Sequence, residues 1–295
     1  MSDRAMVTEA IFRTEAIRVS DPDQPFWYTS GTLGPYYINT HFLFGGEAAA
    51  NRLLSRIEAL SAGDPAIFAA SLLEDLTAQY DLDATYRGVI DAMVRMAGPL
   101  PADFVSGGER RDFFFSLPVA NRLGKPHLSV FKDGRCVLAD PDGGNARAVR
   151  PDAGGALAGH RALHVADIVT QAASFTRAWI PTVHSLGASM PAAMAVIDRN
   201  QDGRSNLQAA GTELHTLVDI DDTLFSAAAR NGILSGAQLE TVRAFNRDPA
   251  KYMRDFLHTH PDYLRGQLAA GGKSRERALL CISNGYAEMP ASDGL

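Results

Sequence analysis

The sequence has little cysteine, no excess of positive charge and no long uninterrupted run of apolar residues. Among 295 residues it contains 2 cysteines, Cys136 and Cys281, which lie far apart and lack metal-ligand spacing. This pattern favours buried thiols in a reducing compartment. A formal net charge of −6 at pH 7 gives no basic excess for non-specific binding to nucleic acid.

The first 19 residues carry acidic side chains within their apolar pattern. A secretory signal or a membrane anchor needs a continuous apolar block, so the segment resembles neither. Hydrophobic residues at 46% and charged residues at 21% are typical of a soluble globular protein. We therefore expect a cytoplasmic protein that binds neither nucleic acid nor membranes.

The first hundred residues are predicted to be largely helical. Apolar residues recur at helical spacing from Thr8 to Val19, and a turn-rich stretch follows. Helical spacing returns between residues 45 and 96, where Pro65 and Gly88 are predicted to separate helices.

Short apolar runs alternate with helical segments between residues 103 and 220. This alternation predicts an α/β fold in which helices cover both faces of a parallel sheet. Residues 136–155 are rich in Gly, Asp and Pro, which predicts a β-hairpin or a mobile loop over the sheet edge. The predicted divisions are residues 1–100 (helix, hood and helical insertion), 101–222 (α/β core) and 223–295 (helical extension with breaks at residues 260–261 and 271–272).

One segment of the core, residues 162–174 with the sequence ALHVADIVTQAAS, is predicted to bind phosphate. It contains an apolar strand with one acid, Asp167, then a turn with Thr170, then Ser174 as a candidate helix N-cap. In open α/β sheets, ligands bind beyond the carboxyl ends of the strands, where helix N-termini attract anions. The placement suits a phosphate monoester.

Four motifs, at residues 28–39, 120–134, 162–174 and 196–222, together resemble the type I phosphoribosyltransferases, and within them the orotate phosphoribosyltransferases. The resemblance implies a parallel sheet with a hood, phosphoribosyl pyrophosphate as the donor, a pyrimidine-like nucleobase as the acceptor, and Mg²⁺. It also implies a homodimer whose mobile loop reaches into the neighbouring site. No protein ligand of the metal is assigned by the sequence.

The resemblance carries roles to several positions of this chain. Asp167 would hold the ribose hydroxyls, Thr170 and Ser174 the 5′-phosphate, and Lys132 would close over the leaving group. Two further residues, Arg110 and Arg111, could bind pyrophosphate oxygens through their planar guanidinium groups. Arg199 would face an acidic substituent of the base. The aromatic pair Tyr36 and Tyr37 would bind the substrate by stacking.

The chain also departs from the motifs of the family. Ala166 replaces one of two adjacent acids, Leu33 replaces a lysine of the hood, and Phe131 replaces an arginine of the mobile loop. Ala172 and Ala173 stand where glycine would allow positive φ angles, so we expect a turn of altered shape. Cationic groups stabilise the leaving pyrophosphate, and their loss predicts a slow enzyme.

Other interpretations of these residues remain open. Thr170 and Ser174 could be simple helix caps, the two arginines a solvated pair, and the two tyrosines packing residues. The whole chain could be a non-catalytic protein that senses a nucleotide or phosphoribosyl ligand.

A further motif, LVDIDDTLF at residues 217–225, matches the nucleophile signature of haloacid-dehalogenase-like phosphatases. In that interpretation Asp219 is the nucleophile and Asp221 the acid/base. Only ten residues follow Gly285, which leaves no room for the later motifs of that family. In the alternative interpretation Asp221 or Asp222 caps the next helix.

Overall fold

The computed structural model describes residues 2–150 and 155–287. Residues 151–154 of the predicted hairpin or mobile loop, and residues 288–295 of the predicted helical extension, lie outside this range. The chain forms two compact units. The first contains Met1–Ala16 and Asn39–Leu224, and the second Ile17–Ile38 and Phe225–Leu295. This division differs from the predicted one by grouping residues 17–38 with the C-terminal helices.

Within the described residues the chain forms eleven strands and twelve α-helices. The strands are β1 (Ile17–Val19), β2 (Phe26–Trp27), β3 (Leu33–Gly34), β4 (Tyr36–Ile38), β5 (Phe104–Gly108), β6 (His127–Val130), β7 (Cys136–Ala139), β8 (Arg147–Val149), β9 (Arg161–Val169), β10 (Ser189–Asp198) and β11 (Glu213–Asp219). The helices are α1 (Asp3–Arg13), α2 (Glu47–Ser61), α3 (Pro65–Leu82), α4 (Ala84–Ala97), α5 (Phe113–Arg122), α6 (Ile180–Ser185), α7 (Gly203–Ala209), α8 (Asp222–Arg230), α9 (Gly236–Arg247), α10 (Pro249–Thr259), α11 (Pro261–Ala270) and α12 (Gly272–Ser283).

The first unit contains a seven-stranded sheet in the order β11-β10-β9-β5-β6-β7-β8. The five strands from β11 to β6 are parallel, and β7 and β8 add an antiparallel hairpin at one edge. Every residue of β5 is buried, as expected for a central strand covered on both faces. The predicted α/β fold is therefore confirmed, with a mixed sheet whose antiparallel edge lies in the segment predicted to form a hairpin.

The register of the sheet places the ends of β5, β6 and β9 side by side. Ser106 of β5 is paired with His164 of β9, and Val105 of β5 is also paired with His127 of β6. Because the carboxyl ends of parallel strands meet at one edge, the segments that follow β5, β6 and β9 emerge side by side.

Two predicted helix boundaries were wrong. The helix predicted from Thr8 to Val19 ends at Arg13, because Glu15 adopts φ 56° and the chain continues into β1, which pairs with β4. Gly88 does not interrupt a helix but lies inside α4. The break occurs at Asp83, whose carboxylate accepts a hydrogen bond from the N–H of Tyr86 (2.7 Å) and so caps α4.

The second unit contains β1 to β4 and the helices α9 to α12. The predicted breaks at residues 260–261 and 271–272 are confirmed, since α11 begins at Pro261 and α12 at Gly272. Leu33, which stands where the family has a lysine, is 0% exposed. An ammonium group at this position would have to leave water. The buried apolar residues around Leu33 are Trp27, Met253, Phe256, Leu264, Ala278 and Cys281.

Among the described residues, no helix combines the length and the apolar character needed to cross a membrane.

Candidate functional site

A cleft of about 450 Å³ lies at the carboxyl ends of β5 and β9, within the first unit. Its walls are the turn after β5 (residues 109–112), the end of β9 with the turn that follows it (residues 166–174), and the ring of Trp179. Six of the nine predicted site residues line this cleft: Arg110, Arg111, Lys132, Asp167, Thr170 and Ser174.

The turn after β9 contains one residue with a positive φ angle, although it contains no glycine. Ala172 adopts φ 56°, so the expectation that alanine would exclude a positive φ was wrong. Two contacts with α7 help to hold the turn. A Cβ on Gly203 would lie 2.5 Å from the carbonyl oxygen of Thr170, so only glycine permits this approach. The Asn206 side chain also donates a hydrogen bond to the Gln171 carbonyl (3.0 Å).

We predict that Ala172→Gly changes the free energy of unfolding by less than about 1 kcal/mol. Glycine relieves about 1–2 kcal/mol of left-handed strain, but it loses a buried methyl group worth about 0.8 kcal/mol and gains chain entropy in the unfolded state. Ala172→Val should destabilise by at least about 2 kcal/mol, because a β-branched residue resists positive φ. Urea denaturation of both variants measures the difference, and equal stability of the two would contradict the assigned conformation.

Ser174 occupies the N-cap position of a helical segment but does not cap it with its side chain. The segment is π-helical over Phe175–Trp179 and continues as α6. The Ser174 hydroxyl makes no capping hydrogen bond, and the residue is exposed at the cleft. Its hydroxyl therefore lies at the wall of the cleft without a capping role in the helix.

Asp167 is the buried acid of the cleft. The residue is 6% exposed, and among the described residues its Oδ2 atom has no hydrogen-bond partner. Burial, as the largest cause, and the nearby charge of Asp112 together raise the pKa of Asp167 to about 7, while the charge of Arg111 opposes the shift. A buried carboxyl group with a raised pKa in a cleft is typical of a functional site.

Asp112 was not predicted as part of the site. An acid immediately before the apolar segment FFFSLPV indicates a helix N-cap, and Asp112 does precede α5. Its side chain makes no capping hydrogen bond. Instead it accepts hydrogen bonds from the N–H groups of Gly108 (3.0 Å) and Asp167 (3.1 Å). No sequence pattern distinguishes these two orientations of an acid before a helix.

The turn after β5 carries positive charge into the cleft. Arg110 forms an ion pair with Glu58 of α2, so its guanidinium group is partly neutralised. Both arginines act on buried His41, whose pKa falls to about 3, first through burial and then through the charges of Arg111 and Arg110. The peptide bond between Glu109 and Arg110 is cis.

Lys132 follows β6 at the edge of the cleft. The Glu109 carboxylate accepts a hydrogen bond from the backbone N–H of Lys132 (3.0 Å), which ties the segment after β6 to the turn after β5. The residue is exposed, and it lines the cleft. Lys132 therefore stands where a flexible cation could reach a bound anion.

Three predicted residues lie elsewhere. Arg199 follows β10, its N–H donates to the Val169 carbonyl (2.8 Å), and it is not among the described residues that line the cleft. Tyr36 is 4% exposed and donates its hydroxyl hydrogen to Asn246 (3.0 Å). Tyr37 donates to the Trp27 carbonyl (2.6 Å) and packs edge-on against other rings of the second unit. The two tyrosines are packing residues here, because their rings and hydroxyl groups already have partners.

The two acids of the phosphatase interpretation are engaged in structural contacts. Asp219 accepts a hydrogen bond from the Thr216 hydroxyl (2.7 Å) and lies 3.4 Å from Arg204 Nη2. Asp221 accepts a hydrogen bond from the N–H of Leu224 (2.8 Å) and so caps α8. The helix-capping interpretation is thus confirmed for Asp221.

Comparison with known proteins shows what this chain resembles. No protein-family model matches the sequence. An adenine phosphoribosyltransferase from Butyrivibrio fibrisolvens is 31% identical over 64 residues, which is 22% of this chain and 36% of that enzyme. The chain thus spans about a third of the length of this curated relative.

Two solved structures share the fold. UMP synthase from Leishmania donovani superposes with a TM-score of 0.54 at 15% identity, covering 81% of this chain and 41% of that one. Orotate phosphoribosyltransferase from Francisella tularensis superposes with a TM-score of 0.50 at 11% identity, covering 82% of this chain and 98% of that one. The chain therefore has the α/β fold of the type I phosphoribosyltransferases and resembles orotate phosphoribosyltransferase.

Proposed function

We propose that the chain is a phosphoribosyltransferase that binds phosphoribosyl pyrophosphate in the cleft after β9 and transfers its phosphoribosyl group to a nucleobase. The observation that carries this proposal is the convergence of six predicted residues on one cleft, around the unpartnered carboxylate oxygen of Asp167. A sugar phosphate matches this combination, because it offers hydroxyl donors to an acid and phosphate oxygens to cations.

In this proposal the two walls of the cleft bind different parts of the donor. Asp167 accepts hydrogen bonds from the ribose hydroxyls, and Thr170 with Ser174 binds the 5′-phosphate at the start of the helical segment. On the opposite wall Arg111 and Arg110 bind the pyrophosphate, and Lys132 approaches the leaving group. Cations beside the leaving group stabilise the negative charge that develops on pyrophosphate as its bond to the anomeric carbon breaks and the bond from that carbon to the base forms.

Mg²⁺ fits this site when it arrives with the donor. The described residues hold no group of three or more His, Cys, Asp or Glu side chains suited to a metal, so a dedicated protein cage is absent from this part of the chain. Mg²⁺ usually keeps several waters and is bound largely through substrate phosphates, so the pyrophosphate of the donor would supply its ligands and no protein ligand is assigned among the described residues. When bound, Mg²⁺ would neutralise charge on the leaving pyrophosphate.

The proposal also includes an acceptor base and an oligomeric state. We take a pyrimidine-like base with an acidic substituent, such as orotate, as the first acceptor to test. The motif resemblance and Arg199 support this choice, although Arg199 lies outside the cleft. A cytoplasmic homodimer is proposed on the resemblance alone, and sedimentation at micromolar concentration tests the oligomeric state.

The decisive experiment measures pyrophosphate release from phosphoribosyl pyrophosphate with Mg²⁺ and each of orotate, uracil and adenine. We expect slow, base-dependent release that disappears in Asp167→Ala. No release with any base, together with no rise in the melting temperature on adding the donor, would overturn the proposal. A matched control, Asp103→Ala, removes an acid at the opposite end of β9, where it pairs with Arg161.

A second candidate is a non-catalytic protein that binds a phosphoribosyl ligand. The specific observations in its favour are Ala166, which removes one acid beside the ribose, and the ion pair of Arg110 with Glu58, which reduces the charge available to pyrophosphate. In this case the donor raises the melting temperature by mass action while no pyrophosphate is released with any base.

A further inference from the structure

We propose that Asp112 is a positioning residue of the cleft, whose carboxylate joins the turn after β5 to the end of β9 and lies beside Asp167. The effect of Asp112 on donor binding depends on the proposed function. Its effect on Asp167 depends only on the contacts that Asp112 makes.

The first observation is that one carboxylate serves two segments of backbone. Asp112 Oδ2 accepts the N–H of Gly108, the last residue of β5, and Oδ1 accepts the N–H of Asp167 in β9. Hydrogen bonds to an ionised acceptor are stronger than neutral ones. Asp112 therefore fixes the distance between the arginine-bearing turn and the acid of the cleft.

The second observation is that Asp112 packs against a buried polar layer at the back of the cleft. His164 Nε2 lies 3.5 Å from Asp112 Oδ2, and His164 Nδ1 makes a hydrogen bond with the Ser106 hydroxyl (2.9 Å). The His164 ring stacks on Trp179 with centroids 6.0 Å apart. His164 and Ser106 are both 0% exposed, so the Asp112 carboxylate packs against a buried imidazole, and among the described residues His164 Nε2 has no hydrogen-bond partner.

The third observation concerns the charges that face Asp167. Asp112 presents a like charge, and Arg111 presents an opposite one. Further around the cleft lie Glu109, Arg110 and Lys132. Burial and the charge of Asp112 together raise the pKa of Asp167 to about 7, with Arg111 opposing. The Asp112 carboxylate therefore adds to the effect of burial in favouring the neutral form of Asp167.

The direct test is Asp112→Asn, which keeps the size of the side chain, removes its charge and leaves one acceptor oxygen for the two backbone N–H groups. The titration of the Asp167 carboxyl is followed by ¹³C NMR in the unliganded protein, with the signal assigned through Asp167→Asn. We expect the midpoint to fall by at least about one pH unit. Asp103→Asn is the matched control, because Asp103 also accepts a β9 backbone N–H, that of Arg161 (2.8 Å), and should leave the midpoint in place.

The second readout is stabilisation by phosphoribosyl pyrophosphate with Mg²⁺ as a function of pH. In the unmodified protein we expect this stabilisation to increase as the pH rises through about 7, because the ionised acid accepts stronger hydrogen bonds. In Asp112→Asn the increase should occur at lower pH. Loss of the donor response in the unmodified protein contradicts the proposed function, whereas an unchanged Asp167 midpoint in Asp112→Asn overturns the role of Asp112.

If Asp112→Asn does not fold, Asp112→Glu provides the test. Glutamate keeps the charge but moves the carboxylate by one methylene group. We expect the Asp167 midpoint to stay near 7, while the dissociation constant of the donor, measured by calorimetry, rises about tenfold or more because the two walls are displaced. A fall of the midpoint, or an unchanged dissociation constant, would overturn the positioning role.

Discussion

Replacing Asp167 by asparagine is expected to stabilise the protein at pH 8 and to abolish its stabilisation by the donor. The pKa of Asp167 is raised from 3.8 to about 7. A raised pKa contributes stability that is fully present below pH 3.8 and is lost as the pH rises through about 7. At pH 8 the folded protein therefore contains a buried, ionised carboxylate beside Asp112, which asparagine removes.

The size of the effect follows from the pH range. From pH 5 to pH 8 the free energy of unfolding of the unmodified protein should fall by about 2–3 kcal/mol relative to that of Asp167→Asn. This figure uses about 1.4 kcal/mol per pKa unit. Denaturation of both proteins at the two pH values measures this difference. At the same time an amide accepts ribose hydroxyl groups more weakly than a carboxylate, so the donor should no longer raise the melting temperature.

The matched control is Asp103→Asn, which should lower the free energy of unfolding where Asp167→Asn raises it. Hydrogen bonds from the side chain and the backbone of Arg161 lower the pKa of Asp103 to about 2. A lowered pKa contributes stability above the unfolded value, so this variant should be less stable than the unmodified protein at both pH 5 and pH 8. An Asp167→Asn protein whose stability difference does not change with pH would show that Asp167 is not a strained, buried acid.

The strands of the sheet could be predicted because buried strands are rich in apolar residues. The apolar runs at residues 104–108 and 162–169 correspond to β5 and β9 within one residue. Since ligands bind beyond the carboxyl ends of such strands, the same runs also indicated Asp167, Thr170 and Ser174. This part of the site follows from local sequence.

The remainder depends on contacts between distant residues, which no local pattern encodes. The pairing of Arg110 with Glu58 joins residues 52 positions apart, and the orientation of Asp112 depends on the N–H of Asp167. The positive φ of Ala172 is accompanied by the close approach of α7 through Gly203. Arg199 matched its motif by position, yet its side chain is not part of the cleft wall among the described residues.

Gly108→Ala is expected to destabilise the first unit by about 3 kcal/mol and to weaken donor binding. A Cβ at this position would lie 2.5 Å from Trp179 Cε2, closer than any real side chain is found. Overpacking of this kind typically costs about 1–3 kcal/mol. Trp179 stacks on His164 and lines the cleft, so the clash would displace either this ring or the end of β5. A shift of β5 would move the N–H of Gly108 away from Asp112.

Thermal and urea denaturation measure the loss of stability, and isothermal calorimetry with the donor measures the loss of affinity, for which we expect about tenfold or more. Gly266→Ala is the matched control, because a Cβ there meets nothing within 4 Å and the residue lies inside α11. Alanine in a helix should leave stability unchanged or raise it by up to about 1 kcal/mol. If Gly108→Ala behaves like Gly266→Ala, the Trp179 ring does not pack against the end of β5, and the wall of the cleft must be built differently.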